Sequence, residues 1–256
     1  MLKIQFRMHP QICDLVSKIA YKNKLKTDPI IMKERLKLIS DKKKAIIWKS
    51  YPETNVETKS NQSSSSFVNL SEVRTVCDVA QEELKRLKPY KKHLLIITFY
   101  KGQLFAIRDE LAKRGALERD QNNSRLIIDP DDAHIRVTTV DSAQGSEADV
   151  VILSTVRSNP HQNIGFLKNQ NRAIVALSRA KEKLIIVGDA NTVAQRGLWK
   201  VVLRSAETHG SRGDGNNNST SKTWTRNQSR PVRGAEETET RQIKINQRKA
   251  EFLEMF

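Results

Sequence analysis

The stretch His93-Leu94-Leu95-Ile96-Ile97-Thr98-Phe99-Tyr100-Lys101-Gly102-Gln103 decides the fold. An apolar run without polar alternation reads as a strand covered on both faces, the habit of a parallel sheet. Lys101-Gly102 then turns the chain into a helix with Leu104, Ile107 and Leu111 facing inward. Outward from this unit the alternation repeats. Ile135 to Val140 and Val150 to Val156 read as two more strands, separated by a polar loop, and Leu184 to Val187 as another. Ala45 to Trp48 reads as a short strand. The helices between them carry apolar stripes at i, i+3, i+4 spacing: Ile12, Leu15, Val16 and Ile19 behind His9-Pro10, and Val73, Val76, Cys77, Ala80, Leu84 and Leu87 behind Asn69, closed by Pro89. Asn169 to Glu182 is expected as one helix and Asn191 to Ala206 as a last one. The class expected is α/β, a mostly parallel sheet with helices on both faces.

Composition sets the boundaries. Residues 1–206 are expected to form one domain interrupted by a flexible loop at about 52–66, which holds four consecutive serines. From Glu207 onward Gly, Asn, Ser, Thr and Arg take over, so 207–256 is expected as a basic, disordered tail, with a charged helix open over 236–256. The chain of 256 residues carries 45 Lys and Arg against 29 Asp and Glu, formally +16. Residues 18–49 alone hold eleven Lys and Arg against three acids. Such an excess suits a polyanionic partner, although a solvated lysine surface gives the same count. Two cysteines, without a CxxC or a Cys/His cluster, argue against a disulfide scaffold or a zinc site. No apolar run is long enough for a membrane helix and no hydrophobic leader opens the chain, so an intracellular protein, cytoplasmic or nuclear, is expected.

Ligands of open α/β sheets collect at the carboxyl ends of strands. Two polar segments are expected there, Thr98 to Gln103 and Thr138 to Glu147, with a third, Val175 to Lys181, on a helix beside them. Arg172 and Arg179, seven apart on that helix, would project roughly 20° from one another. Two guanidinium groups in an apolar stretch either serve salt bridges on a solvent stripe or answer phosphate charge, for which the planar fork is suited.

Gln5-Phe6-Arg7-Met8-His9-Pro10 resembles the Gln-Tyr-Arg-Met-His-Pro block of the superfamily 1 helicases related to the nonsense-mediated-decay RNA helicase. Val140 to Glu147 looks like their motif V and Val175 to Lys181 like motif VI. Val156-Arg157-Ser158-Asn159, Ile164-Gly165-Phe166-Leu167 and Asn171-Arg172 match the spacing between. The string from Asn171 to Lys181 is most similar to the NFX1-type zinc-finger branch, though no zinc finger is present.

The resemblance implies the second RecA-like domain of such a helicase. Arg7 and Arg179 would be arginine fingers reaching the γ-phosphate of ATP, whose Mg2+ would be held by the first RecA-like domain. Phe6 would stack on adenine where the family usually has tyrosine, and Glu147 would contact the ribose, with Gly145 allowing close backbone approach. Thr98, Tyr100, Thr139 and Ser142 would face a single strand, RNA more than DNA. Gln144 and Arg172 would couple nucleotide to strand, and His9 is a helix-entry residue. The chain departs from the pattern at Ile174, where motif VI usually has asparagine, and at Ser146, where motif V often has arginine. It contains no G-x-x-x-x-G-K-[ST] and no Gly-Lys pair. It therefore reads as a fragment, or one half of a larger product, inactive alone. A non-catalytic nucleic-acid-binding module, a degenerate helicase fragment and a regulatory protein docking through its tail remain open alternatives.

Overall fold

The computed structural model describes residues 3–38, 45–51, 56–60, 63–116, 135–195 and 197–209, all within one unit, Met1–Ser211. In chain order the elements are β1 (Ile4–Gln5), α1 (Pro10–Ala20), β2 (Lys26–Thr27), α2 (Pro29–Leu38), β3 (Ile46–Lys49), β4 (Thr58–Ser60), β5 (Ser63–Val68), α3 (Leu70–Leu87), β6 (Leu94–Thr98) and α4 (Lys101–Lys113). Then come β7 (Ile135–Thr139), β8 (Ala148–Ser154), α5 (Gln170–Leu177), β9 (Ala180–Val187), α6 (Ala190–Val193), α7 (Gly197–Ser205) and β10 (Glu207–His209). Six strands form the central sheet in the order β10-β3-β9-β8-β6-β7, all parallel.

The period of two along each strand, with both faces covered, explains why Leu94 to Ile97 are all apolar. Leu95, Ile97, Val151, Leu153, Leu184 and Ile186 face α1, α5 and α7. Leu94, Ile96, Val150, Ile152, Ile185 and Val187 face α3 and α4, meeting Val76, Cys77, Ala80, Ile107 and Leu111. Caps set the helix starts: His9 Nδ1 accepts from the Gln11 amide (3.2 Å), and the side chains of Asn69 and Asn169 accept from Glu72 N (3.0 Å) and Arg172 N (3.1 Å).

The structure departs from the sequence reading in four places. The helix expected over 169–182 ends at Leu177, and Ala180 to Glu182 open β9 instead. Ala180-Lys181-Glu182-Lys183 has a helix-like composition, but ladder bonds and ion pairs outweigh it: buried Glu182 takes Lys92 at 2.7 Å, and Lys183 takes Glu83 at 2.5 Å. The last helix is two, α6 and α7, parted where Gly197 adopts φ +64°. The segment expected as a loop at 52–66 contains an antiparallel hairpin, β4 with β5. It lies against the start of α4, where a Cβ on Gly102 would meet Ser60 Cβ and Val68 Cγ2 at 2.8 Å. Glu207 to His209, expected in the tail, pair with β3 as an edge strand. Residues 52–55 and 210–256, including the helix considered over 236–256, lie outside the described residues.

A buried polar cluster closes the carboxyl end of β8. Val156 sits at φ +71°, a strained conformation for a β-branched residue. Its amide donates to both oxygens of Glu72 (2.8 and 3.0 Å), and its carbonyl accepts from Asn69 Nδ2 (3.1 Å). The Ser154 hydroxyl also donates to Glu72, at 2.5 Å. Complete burial pushes the Glu72 carboxyl up to about 8 despite these donors. A folded pKa above the unfolded value means that this contribution to stability is full below the ordinary glutamate pKa and lost as pH rises through about 8. The melting midpoint is therefore expected to fall between pH 5 and pH 9, and Glu72→Gln to remove from the accompanying loss of stability roughly 1.4 kcal/mol for each unit of pKa displacement. Equal slopes in melts of the two proteins would assign the effect to another group.

Candidate functional site

Parallel connectivity decides where each motif residue lies. After β8 the chain leaves the carboxyl edge of the sheet, and α5 carries it back to the amino edge of β9, as a parallel crossover must. Ala148 and Ala180 are register partners at the first residues of β8 and β9, and the Ala148 amide donates to Arg179 O at 3.2 Å. Arg179 and Glu147 are therefore at the amino edge, not at the carboxyl ends where the sequence reading placed them. Nor does Arg179 share a helical face with Arg172, since it lies beyond the end of α5.

Arg7 joins Arg179 and Glu147 at the amino edge. Its turn is tied by Gln5, whose Oε1 accepts from the amides of Arg7 (2.8 Å) and Met8 (2.7 Å) and whose Nε2 donates to Met8 O (2.9 Å) and Thr27 Oγ1 (2.7 Å). The His9 amide donates to Lys181 O at 2.7 Å and fixes the turn to β9. Arg7 Nε donates to Glu147 Oε2 at 2.6 Å, and Lys181 Nζ meets the other oxygen at 3.0 Å. The Arg179 guanidinium donates to Val175 O (2.9 Å), Ser146 O (3.3 Å) and Ser178 Oγ (2.9 Å), all uncharged oxygens. Burial pushes its pKa down and the neighbouring Arg7 adds to that, with Glu147 opposing. Burial pushes the Glu147 carboxyl up, yet donation from Lys181 and Arg7 leaves it below the ordinary value. Two cations thus pair with one carboxylate and a third, Arg179, lies near them without an acid of its own among the described residues, a cluster whose charge an anion would complete. Phe6 is half-buried on the same turn. Gly145 adopts φ +81° with no atom within 4 Å of a would-be Cβ, so the turn, not crowding, requires glycine there.

The carboxyl edge holds a second group. Thr139 and the exposed Ser142 exchange a hydroxyl bond of 3.3 Å at the end of β7. Arg172 pairs with Asp141 through two bonds, from Nε (2.8 Å) and from Nη2, and its guanidinium lies 5.4 Å from the Phe166 ring. Gln144 is exposed on the segment running from this edge to the other. Thr98 and Tyr100, expected to face a strand, are corrected by burial: they are 0% and 2% exposed. The Thr98 hydroxyl accepts from the Tyr100 amide (3.4 Å), and the Tyr100 hydroxyl accepts from Arg157 Nη1 (3.3 Å) and Phe166 N (3.1 Å). The sequence reading gave no role to Lys181 or Phe166. The position of Lys181 two residues beyond Arg179, and an aromatic in a Gly-Phe-Leu turn, were the available signals.

Beside this edge, a cleft of about 620 Å³ lies between the 161–168 turn and α6 and α7, with His161, Lys168 and Gln195 among its lining residues. Among the described residues no helix is long and apolar enough to cross a membrane.

The AAA domain family AAA_12 matches residues 1–191. The chain is 34% identical over 203 residues to the regulator of nonsense transcripts 1 homolog of Drosophila melanogaster, covering 79% of this chain and 16% of that protein. It is 33% identical to the probable helicase MAGATAMA 3 of Arabidopsis thaliana, covering 81% of this chain and 24% of that protein. It is 32% identical to the NFX1-type zinc finger-containing protein 1 of Mus musculus, covering 80% of this chain and 10% of that protein. The chain spans a quarter or less of each of these relatives, and their similar identities do not separate the NFX1-type branch from its neighbours. By the extent of the match and the order of its motifs, the chain belongs to the AAA_12 family of AAA domains, as a RecA-like C-terminal domain of the superfamily 1 helicases of the nonsense-mediated-decay group.

Proposed function

We propose that this domain supplies the arginine side of an ATP site and part of a single-strand groove in an ATP-dependent helicase working inside the cell. The observation that carries the reading is the amino-edge cluster, where Arg7 and Lys181 pair with Glu147 while the neighbouring Arg179 guanidinium is held by uncharged oxygens. A module that only bound nucleic acid would have no need of these arginines meeting at the edge away from Thr139 and Ser142. The phosphates of ATP, presented with Mg2+ by a first RecA-like domain, are the anion that suits this cluster.

Arg7 and Arg179 would then stabilise the charge of the transferring γ-phosphoryl group. Arg7 must exchange Glu147 for phosphate to do so, which releases that carboxylate to accept from a ribose hydroxyl. Phe6 supplies a ring face for adenine. Closure of the two domains brings the arginines to the phosphates and excludes water. Coupling follows from the chain path. The α5 helix, eight residues and about 12 Å long, and the segment holding Gln144 both run from the strand edge to the nucleotide edge. A shift of Arg7 or Arg179 at one end is passed to Arg172, Thr139 and Ser142 at the other. The relatives named as regulators of nonsense transcripts favour RNA over DNA as the strand.

Titration of a labelled single-stranded oligonucleotide at several salt concentrations tests the strand half of the reading. The chain is expected to bind weakly, with affinity falling about tenfold or more over a fourfold rise in salt and little preference for sequence. An affinity indifferent to salt, or strong preference for one sequence, would contradict it.

A further inference from the structure

We propose that Phe166 is a stacking platform for one base of the bound single strand, an assignment that rests on the nucleic-acid reading above. The ring is 44% exposed, yet everything beneath it is fixed. Tyr100 stacks under it with centroids 5.1 Å apart and planes at 27°. The Tyr100 hydroxyl accepts from the amide of Phe166 itself at 3.1 Å and from Arg157 Nη1 at 3.3 Å. Phe67 meets the edge of Tyr100 at 5.7 Å and has the Arg157 guanidinium 4.3 Å above it. Arg157 is held by Glu57 through bonds of 2.9 and 2.8 Å. On the other side of the turn, the Trp199 indole donates to Leu167 O at 3.0 Å.

Gly165 allows this packing. It adopts φ +50°, and a Cβ there would fall 2.1 Å from Arg157 Nη1 and 2.4 Å from the Tyr100 hydroxyl. A ring needed only for the core would be turned inward; this one is held outward on a rigid stack.

The surroundings identify what it would meet. The Arg172 guanidinium lies over the ring, 5.4 Å from its centroid, and is held by Asp141, which flanks Ser142 and is close to Thr139, so an incoming base would share the ring with that cation. Lys168 is exposed in the same turn. A flat apolar face among cations and hydroxyls suits a base whose own phosphates lie beside it, and the charge of the chain favours that polyanion over an apolar protein surface. A ring face distinguishes no base from another, so the platform should be indifferent to sequence.

The test uses the full 256-residue chain and twelve-nucleotide oligouridylates, each with 2-aminopurine at one successive position. Anisotropy reads binding and 2-aminopurine fluorescence reads stacking. Quenching is expected at one or two positions. Phe166→Leu should remove it and lower affinity about tenfold with an unchanged salt slope and an unchanged melting midpoint, while Phe166→Trp should keep it. Salt-dependent binding without quenching at any position, or quenching retained in Phe166→Leu, overturns the platform and leaves the nucleic-acid reading intact. Failure of the unaltered chain to bind any oligonucleotide overturns both. Normal strand contact in Phe166→Leu with weakened association to a first helicase domain would make the ring a domain-docking residue, and the proposal would fall.

Discussion

Purified alone, the 256-residue chain is expected to turn over no ATP above background, and to gain strand-stimulated turnover when joined to a related first RecA-like domain. Phosphoryl transfer needs the β- and γ-phosphates cradled by backbone amides and a lysine, and a metal ion held against them. This sequence has neither a G-x-x-x-x-G-K-[ST] loop nor a Gly-Lys pair. What it does have, at the amino edge of β8 and β9, is a cationic cluster that can answer phosphate charge but cannot orient an attacking water. Weak nucleotide binding without turnover is thus the expected behaviour of the isolated chain. A coupled phosphate-release assay on the chain, the fusion and the first domain alone decides it. Turnover by the isolated chain that disappears in Arg179→Ala would overturn the division of labour proposed here.

The sheet was legible because burial on both faces leaves no ambiguity in runs such as Leu94 to Ile97 and Val150 to Leu153. Charged strand ends were not. Glu182 and Lys183 look solvent-facing in sequence, and distant partners, Arg35 and Lys92 for Glu182 and Glu83 for Lys183, hold them at the start of a strand. The hairpin formed by β4 and β5 escaped for a related reason: a run of serines has no apolar alternation, and its support comes from backbone pairing and from Ser66, which accepts from the Gly102 amide at 2.8 Å. Among the candidate site residues, Arg7 and Glu147 meet although 140 positions separate them, and Arg179 lies beside them. No local pattern predicts that meeting; the resemblance between motifs is what drew attention to these residues. The same resemblance misled at Thr98 and Tyr100. It could not reveal that Phe67, Arg157 and Phe166 enclose Tyr100, so that the ring offered to solvent is that of Phe166.

In a two-domain enzyme, Arg179→Ala and Arg7→Ala are each expected to cut turnover by roughly 10³-fold or more while single-strand affinity stays nearly unchanged. The two arginines should differ in their side effects. Arg7 pairs with Glu147 and adds only a long bond of 3.4 Å to Ser178 O, so its removal leaves that carboxylate with Lys181 and disturbs the resting fold little. Arg179 satisfies the carbonyls of Val175 and Ser146, so alanine there also loosens the turn leading into β9. Lysine is a poor substitute at either position, because a point charge cannot reproduce the two-pronged fork that holds carbonyl and phosphate together. Phe6→Ala should instead raise the KM for ATP with kcat nearly kept, since stacking on adenine holds ground and transition states alike. Steady-state kinetics on the fusion, with strand affinity and melting midpoint measured in parallel, separate these outcomes. If Arg179→Ala lost strand binding as steeply as turnover, or if Arg179→Lys restored full turnover, the guanidinium would be holding the fold or the strand. It would then not be the group that meets the γ-phosphate.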